Sequence, residues 1–345
     1  MTPAQRVPLG PLTTLGVGGA ARWFVEATDE AAVRAARAWA REHGAGLRIL
    51  GGGSNLVIAD AGVEALVVRI ALRGLTHRER AGAIELTAAA GEPWDAVVAT
   101  SVEHGWAGLE CLSGIPGLVG ATPIQNVGAY GQEVGDTVVS VRALDTTTGE
   151  IAEIPAAGCG FAYRDSMFKR DAPGRFVVLA VTYRLRPGGA PTLTYADVQR
   201  ALSGRAPTLA ETRAAVLTIR RGKSMTLDQP ADVNRRSCGS FFLNPIVEAA
   251  QADTVTARTG DPAMPRWPQP DGRVKLSAAW LIERAGFTRG ERAGPVGLST
   301  RHTLAIVAHD GARTADVLAF ARRVQELVDQ RFGVRLSPEP GIWGA

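Results

Sequence analysis

Basic runs, cysteine pairs and long apolar stretches are all missing from this chain of 345 residues. No block of five or more consecutive Lys or Arg residues occurs, and the formal net charge is only +4. This charge suits an anionic small ligand, and we expect no nucleic-acid partner. The three cysteines are widely spaced and form no C-x-x-C pair. A disulfide framework or a structural metal site is therefore not expected.

No segment approaches the run of about eighteen apolar residues that a membrane-spanning helix needs. The N-terminal sequence MTPAQRVPLG also lacks the apolar core of a secretion signal. We therefore expect a cytoplasmic protein without a membrane partner. What the chain does contain is 46% hydrophobic residues, and its length predicts two or three domains with ample core.

The order of periodic segments near the N-terminus indicates an α+β fold. Apolar spacing predicts a helix over 29–43. Strands are predicted at Leu47–Leu50, Leu56–Ile58 and Ala65–Ile70. This β-α-β-β order differs from the long alternation of a doubly wound sheet.

The second half of the chain predicts a domain boundary. A capping box that starts at Thr208 opens a helix, and the composition then becomes rich in Pro, Asp, Gln and Arg. We place the boundary near Ser224. Beyond it, one apolar stripe is predicted over 274–285 and an amphipathic helix over 315–331.

The first of two glycine-rich loops is GGGSNLVIAD, residues 51–60. It lacks the G-x-G-x-x-G spacing of a Rossmann fingerprint and the Gly-Lys-Ser/Thr of a P-loop. Consecutive backbone N–H groups, with the Ser54 hydroxyl and the Asn55 amide, predict an anion-binding nest for a pyrophosphate. A tight turn between two strands explains the same residues.

The second glycine-rich loop, GLVGATPIQNVGAYG, covers residues 117–131. Its glycines allow sharp turns and close approach of a ligand to the backbone. Two such loops, well separated in one chain, indicate a large phosphate-bearing cofactor that is held at two places.

Three polar islands follow these loops. They contain Arg164 in FAYRDS, Ser240 in CGSFFLNP and Glu339 in LSPEP. Taken singly, each has a purely structural explanation: a turn with an internal ion pair, a hydrogen-bonded turn, and an exposed carboxylate.

Taken together and in order, these motifs resemble the UDP-N-acetylenolpyruvoylglucosamine reductase family over nearly the whole chain. The motifs that carry the resemblance are GGGSNL, IPGLVGATPIQNVGAYG, FAYRDSMFK, LTYADV, CGSFFLNP and SPEPGIWG. The LTYADV segment around Tyr195 is similar to the longer, type I branch of that family. Six ordered motifs are far more specific than any one of them.

The resemblance implies an α+β fold with a two-subdomain FAD-binding part of the vanillyl-alcohol-oxidase (PCMH) type and a separate α+β substrate-binding domain. The implied division is 1–74 and 75–223 for the two FAD-binding subdomains, 224–336 for the substrate-binding domain, and 337–345 for a C-terminal segment that returns to the active site.

The resemblance also implies a noncovalent FAD, since neither loop offers a histidine for a covalent link, and NADPH as the hydride donor. No metal is implied. The implied cofactor-binding residues are Gly51, Gly52, Gly53, Ser54, Asn55, Leu56, Ile115, Pro116, Gly117, Gly120, Ala121, Thr122, Ile124, Gly128 and Ala129.

The implied reaction is reduction of UDP-N-acetylglucosamine enolpyruvate to UDP-N-acetylmuramate, a step of peptidoglycan synthesis. Hydride from flavin N5 would reach the vinyl carbon, Arg164 and Glu339 would stabilise the resulting enolate, and Ser240 would supply the proton. The implied substrate-binding residues are Tyr130, Tyr195, Lys223, Asn244 and His302.

Two other functions fit the same flavin-binding signature. One is an FAD-dependent oxidase or dehydrogenase of the wider superfamily that acts on a different substrate. The other is a flavoprotein that binds a UDP-sugar without turnover. In the reductase interpretation the partners are small molecules only, and we expect a monomer.

Overall fold

The fold is taken from a computed structural model, which describes residues 1–202, 206–261 and 263–344. Twenty strands are present among these residues. In chain order they are β1 (Ala4–Pro8), β2 (Ala20–Ala27), β3 (Gly46–Leu50), β4 (Leu56–Ile58), β5 (Val63–Ile70), β6 (Leu75–Arg80), β7 (Ala83–Ala89), β8 (Trp106–Ala107), β9 (Gly128–Ala129), β10 (Gln132–Glu133), β11 (Val138–Asp145), β12 (Ile151–Pro155), β13 (Phe176–Pro187), β14 (Ile246–Val247), β15 (Arg266–Pro268), β16 (Val274–Leu276), β17 (Arg292–Ala293), β18 (Val296–Leu298), β19 (Ile306–Ala308) and β20 (Gly341–Trp343).

Eight α-helices complete the described part of the chain. They are α1 (Glu30–Glu42), α2 (Trp94–Glu103), α3 (Met167–Arg170), α4 (Ala196–Leu202), α5 (Leu209–Gly222), α6 (Ala249–Thr259), α7 (Ala278–Arg284) and α8 (Thr314–Phe332). None of the helices described is long and apolar enough to cross a membrane.

The chain divides into two compact units. The first unit comprises Met1–Val7, Ala21–Gly53 and Glu64–Asp228. The second comprises Pro8–Ala20, Ser54–Val63 and Gln229–Ala345. The main boundary therefore lies a few residues beyond Ser224. The second unit also includes Pro8–Ala20 and Ser54–Val63, which the contiguous domain ranges expected from the sequence assign to the first FAD-binding subdomain. The division between two FAD-binding subdomains at 74/75 stays a prediction.

The first unit contains two larger sheets and the two-stranded sheet β10-β9. In the first sheet the strand order is β1-β2-β5-β3, and β3 runs parallel to β5. The second follows the order β12-β11-β13-β7-β6, with β8 also paired to β13. Helix α1 begins where the Asp29 carboxylate accepts a hydrogen bond from the Ala32 N–H at 2.7 Å. Its Val33, Ala36 and Ala40 are buried in the core of this unit.

The second unit is built around the long helix α8. Val317, Phe320, Val324 and Val328 lie in its core, and Gly333 ends the helix in the left-handed conformation with φ of +66°. Strand β20 pairs in parallel with β4. This pairing brings residues close to the C-terminus next to the end of the first glycine-rich loop.

Most of the predicted elements are present with small shifts at their ends, and the α+β class is confirmed. The helices expected over 29–43 and 315–331 correspond to α1 and α8, and the Thr208 capping box opens α5. The prediction of a single apolar stripe over 274–285 was wrong, because the first three of these residues form strand β16. Ser277 then accepts a hydrogen bond from the Trp280 N–H at 3.2 Å and begins α7.

Candidate active site

The two glycine-rich loops touch each other in the first unit. A Cβ on Gly52 would lie 2.9 Å from the Gly117 Cα, and one on Gly51 would lie 3.9 Å from the Ala121 Cβ. Contacts under 3.0 Å do not occur for real Cβ atoms without a shift of the backbone, so only glycine fits at position 52. The first loop leads from β3 directly into β4, as a strand-turn-strand connection. Within the first unit, the start of the first loop thus lies against the second loop.

Backbone hydrogen bonds attach the second loop to the start of α2 and to the residue that follows β7. The Gly117 carbonyl accepts from the Trp94 N–H at 3.1 Å, and the Gly120 N–H donates to the Ala90 carbonyl at 2.9 Å. The buried Thr122 hydroxyl donates to the Val119 carbonyl at 2.8 Å and lies 3.0 Å from the Tyr183 hydroxyl. The Thr122 hydroxyl therefore takes part in hydrogen bonds within the protein.

The residues of these loops fit an FAD pyrophosphate. The backbones at Gly52 and Gly117 approach each other with no side chain between them, and the sequence of the run 51–55 supplies consecutive backbone N–H groups with a serine and an asparagine. Such nests bind anionic oxygens through their N–H dipoles. Ile115, Pro116, Ile124, Gly128 and Ala129 are each partly exposed along the second loop.

Replacing Gly52 with alanine is expected to weaken FAD binding about 10- to 100-fold, because the new methyl group overpacks the contact with Gly117. The matched control is Gly46→Ala at the start of β3, outside the predicted cofactor residues, where an added methyl group meets only the Ala65 Cβ at 3.4 Å. Titration of each apoprotein with FAD measures the difference. Equal affinities of the two variants would contradict the proposed FAD site.

Arg164 lies in a strained and well-supported position in the first unit. Its backbone is left-handed with φ of +54°, a conformation that costs energy outside glycine. Its guanidinium donates to the Gly128 carbonyl and lies 3.9 Å from the Glu133 carboxylate. A Cβ on Gly128 would lie 2.9 Å from Nη1 of Arg164. The second glycine-rich loop therefore holds this arginine side chain, which is 19% exposed.

Asn126 supports the same arrangement and was not among the predicted site residues. Its side chain donates to the Glu133 carboxylate at 2.7 Å and to the Ala162 carbonyl at 3.0 Å, and it accepts from the Gly135 N–H at 2.9 Å. Its φ is +44°. An asparagine between turn residues is the signal that could have identified it, because Asn adopts this conformation more readily than most residues.

Three predicted substrate-binding residues meet elsewhere in the first unit. The rings of Tyr130 and Tyr195 pack edge to face with their centroids 5.4 Å apart. The Lys223 ammonium lies 5.9 Å from the centroid of Tyr130 and 3.2 Å from the Asp197 carboxylate. Burial would raise the pKa of Asp197, but hydrogen bonds from Lys223 and Arg200 outweigh it and lower that pKa.

Burial also raises the pKa of both phenols, Tyr130 and Tyr195. They therefore stay protonated at neutral pH and can donate hydrogen bonds. Together with the Lys223 ammonium, the two phenol hydroxyl groups are hydrogen-bond donors of the kind that can bind a diphosphate.

Ser240 and Glu339 lie close together in the second unit. The backbone N–H of Glu339 donates to the carbonyl of Phe241, the residue after Ser240, at 2.9 Å. Phe242 and Pro338 form a bridge between the same two segments. Ser240 and Glu339 are both half-buried. The GSFF and PEP motifs, nearly a hundred positions apart, thus run side by side.

Asn55 joins this group from the first glycine-rich loop. Its side-chain amide donates to the Glu339 carbonyl at 3.3 Å, and its own carbonyl accepts from the Gly341 N–H at 3.1 Å. The Ser54 carbonyl accepts from the Thr14 hydroxyl at 3.4 Å, and Leu56 pairs with Gly341. The predicted return of the C-terminal segment is therefore to the loop 54–56 within the second unit.

The remaining two predicted residues have visible structural roles. The Asn244 side-chain oxygen accepts from the Ala278 N–H at 2.9 Å, at the start of α7. His302 lies in the turn before β19, where its carbonyl accepts from the Ala305 N–H at 3.1 Å. Neither contact brings these side chains to Ser240, and their substrate contacts stay predictions.

The three cysteines are not among the predicted site residues. All three are buried and free. Burial raises the pKa of Cys111 and of Cys238 to about 12, so both thiols stay protonated and unreactive. Among the residues described, no cluster of three metal-ligating side chains occurs.

The chain is a flavoprotein whose cofactor is FAD. The family model described as an FAD binding domain matches residues 21–155. The family model for the C-terminal domain of UDP-N-acetylenolpyruvoylglucosamine reductase matches residues 229–343. The chain belongs to the UDP-N-acetylenolpyruvoylglucosamine reductase family, and the expected FAD-binding fold with a separate second domain is confirmed.

Similarity to individual proteins extends over the whole chain. A UDP-N-acetylenolpyruvoylglucosamine reductase of Saccharopolyspora erythraea is 50% identical over 98% of this chain and 95% of its own length. The reductase of Pseudomonas aeruginosa is 44% identical, with 98% of each chain covered. The crystal structure of the reductase from Thermus caldophilus aligns with a TM-score of 0.66 and 28% identity over 98% of each chain.

Proposed function

We propose that this FAD-containing reductase uses NADPH to reduce UDP-N-acetylglucosamine enolpyruvate to UDP-N-acetylmuramate in peptidoglycan synthesis. The observation that carries the proposal is the pairing of the Ser240 and Glu339 segments through the Phe241 carbonyl. Ser240 and Glu339 are both half-buried and lie on paired segments of one unit. A hydroxyl and a carboxyl group suit transfer of a proton to a carbon that has gained negative charge.

Bound FAD supplies the hydride-transfer chemistry in this scheme, and the residues 51–56 and 115–129 hold it. The chain itself has to bind the enolpyruvyl carboxylate, stabilise the charge that develops on it, and deliver a proton to the neighbouring carbon. Preorganised donors that act on developing charge give the largest share of catalysis in many enzymes.

Arg164 binds the carboxylate of the enolpyruvyl group in this proposal. A guanidinium presents a planar fork of donors that matches the two oxygens of a carboxylate. The contacts with Gly128 and Glu133 leave the side chain restrained, so little conformational entropy is lost when the substrate binds. The strained backbone at Arg164 is consistent with a position kept for function.

Glu339 in its protonated form donates a hydrogen bond to the developing enolate, and Ser240 gives the proton to the enolate carbon. A neutral serine is a weak acid, but a carbanion within hydrogen-bond distance is a strong base. Lys223, Tyr130 and Tyr195 bind the anionic UDP part, with Asn244 and His302 as further contacts. The monomeric state and the cytoplasmic location stay predictions.

The proposal is tested by incubating the FAD-loaded protein with NADPH and the enolpyruvyl sugar in the absence of oxygen. Mass spectrometry should detect UDP-N-acetylmuramate, which carries two more hydrogens than the substrate. NADPH oxidation that depends on oxygen but not on the sugar would support another flavin oxidase. Binding of the sugar without any product would support a flavoprotein that lacks turnover.

A further inference from the structure

The connection 188–195 between β13 and α4 is attached to the rest of the first unit through Thr192, a residue outside every predicted site. The Thr192 N–H donates to the Glu110 carboxylate at 2.7 Å, and the Thr192 hydroxyl accepts from the Gln132 side-chain amide at 2.9 Å. The Thr192 carbonyl accepts from the Cys111 thiol at 3.2 Å. All three polar groups of Thr192 are therefore bonded to side chains from two other segments.

The side chains that hold Thr192 belong to one buried polar network. Glu110 is 0% exposed and Gln132 is 4% exposed. The Glu110 carboxylate also accepts from the Gly108 N–H at 2.7 Å and from the Gln132 amide at 2.8 Å. The side-chain oxygen of Gln132 accepts from the Cys111 N–H at 2.8 Å. Both ends of this amide are thus in use, which fixes its orientation.

Burial of the Glu110 carboxyl group is costly for the fold. The three groups that donate to it are uncharged N–H groups, and an apolar side chain of similar size would fill the same space at lower cost. A fully bonded polar network instead specifies one geometry, because each donor and each acceptor has a defined place. The network is therefore better explained by the geometry that it holds than by stability.

One end of this geometry is the turn that carries Tyr130. Gln132 begins β10 and pairs with Ala129, the last residue of β9. Tyr130 and Gly131 form the two-residue turn of this hairpin, and both have positive φ, of +49° and +84°. A type I′ hairpin turn requires positive φ at both positions, which strains the backbone at a tyrosine. The network holds the residue that directly follows this strained turn.

The other end of the geometry is Tyr195, which follows Thr192 by three positions. The Tyr195 ring packs edge to face on the Tyr130 ring, with their centroids 5.4 Å apart. A Cβ on Gly131 would collide with the Thr194 hydroxyl, so the connection that carries Tyr195 lies directly on the hairpin turn. The contact between the two tyrosines thus joins two segments that the network already bonds together.

We propose that Gln132 and Glu110 are positioning residues that keep the two tyrosines in the arrangement that binds the UDP part of the substrate. They act through Thr192 and make no contact with the ligand themselves. This inference rests on the proposed function, which assigns Tyr130 and Tyr195 to the UDP part. Side chains that are ordered before the ligand arrives lose less conformational entropy on binding, so the network raises substrate affinity without a role in the chemical step.

The test removes one hydrogen bond of the network with little change of shape. Thr192→Val replaces the hydroxyl that accepts from Gln132 with a methyl group, whereas Thr192→Ser keeps a hydroxyl. Titration calorimetry with UDP gives the affinity, and steady-state assays give KM and kcat for the enolpyruvyl sugar. Thr192→Val should weaken UDP binding and raise KM about 3- to 10-fold, the loss expected when one side chain has to be ordered on binding. Its kcat and its FAD affinity should stay close to those of wild type, and Thr192→Ser should recover most of the loss.

Thr182→Val is the matched control, because it makes the same replacement within the same unit. The Thr182 hydroxyl lies 2.9 Å from the Thr87 hydroxyl in a hydrogen bond between β13 and β7, and Thr182 is half-buried like Thr192. Thr182→Val should keep the UDP affinity and the KM of wild type. An equal loss of UDP affinity in Thr182→Val and Thr192→Val would overturn the inference.

A Tyr195→Ala background separates positioning from a general structural role. If Thr192 acts through Tyr195, Thr192→Val should cause no further loss of UDP affinity in that background. Gln132→Met, which removes the amide and keeps a side chain of similar length, should likewise weaken UDP binding and leave FAD affinity and kcat close to wild type.

Three results would overturn the inference: full additivity of the Thr192→Val and Tyr195→Ala losses, unchanged UDP affinity in Thr192→Val, or a loss of FAD affinity as large as the loss of UDP affinity. Failure of the wild-type protein to form product would instead contradict the proposed function, because UDP binding is measured independently of turnover.

Discussion

Replacing Ser240 with alanine is expected to lower the rate of sugar reduction by at least about 10⁴-fold, the upper range of ordinary acid–base assistance. Reduction of the flavin by NADPH should be unchanged in the same variant. The reason is that Ser240 is assigned only to protonation of the enolate carbon. Rapid-mixing measurements of the two half-reactions, each without oxygen, separate these effects.

The chain offers a matched control three positions away. Ser237 is buried in the same segment, where its hydroxyl accepts from the Gly239 N–H at 3.3 Å. Ser237→Ala therefore removes a more deeply buried hydroxyl of the same segment without touching the proposed proton donor, and both half-reactions should stay within a few fold of wild type. If Ser240→Ala slows both half-reactions equally, Ser240 is not the proton donor.

Replacing Arg164 with methionine is expected to lower kcat/KM for the enolpyruvyl sugar about 10²- to 10³-fold, the usual loss for one donor to developing charge. Arg164→Lys should recover only part of this loss, because a lysine keeps the charge but lacks the planar fork. The rate with NADPH should change much less than the rate with the sugar, since NADPH lacks the enolpyruvyl carboxylate. Single-turnover oxidation of the reduced flavin by the sugar measures the effect.

Arg170→Met is the control for Arg164. Arg170 belongs to the neighbouring helix α3 and forms exposed ion pairs with Asp165 and Asp171, which contribute little to stability. Its replacement should leave the rate with the sugar within a few fold of wild type. Comparable losses in Arg164→Met and Arg170→Met would argue for an effect of positive charge in general, against a carboxylate-binding role of Arg164.

Local periodicity in the sequence predicts the regular elements well, because each depends on residues close together in the chain. Helix α1 and helix α8 carry clear apolar stripes and end near Gly44 and Gly333. The two glycine-rich loops can also be identified from the sequence, because each is one continuous run of residues. The contact between Gly52 and Gly117 is a long-range feature, which only the folded chain can show.

Other features depend on contacts between residues far apart in the chain, and sequence periodicity cannot predict such contacts. Parallel pairing of β20 with β4 brings Glu339 to Asn55, and neither segment contains a pattern that specifies the other. Asn244 is similar, since its side chain caps α7 from a position far upstream of the helix. The resemblance to a family was needed to group Arg164, Ser240 and Glu339, because each also fits an ordinary turn or surface position.

The central claim is that one flavin accepts a hydride from NADPH and passes it to an enolpyruvyl sugar. The most direct measurement is a visible spectrum of the purified protein without oxygen, first with NADPH and then with UDP-N-acetylglucosamine enolpyruvate. The flavin band should bleach with NADPH and return when the sugar is added. A flavin that bleaches but stays reduced until oxygen enters would contradict the account and would indicate an oxidase with another substrate.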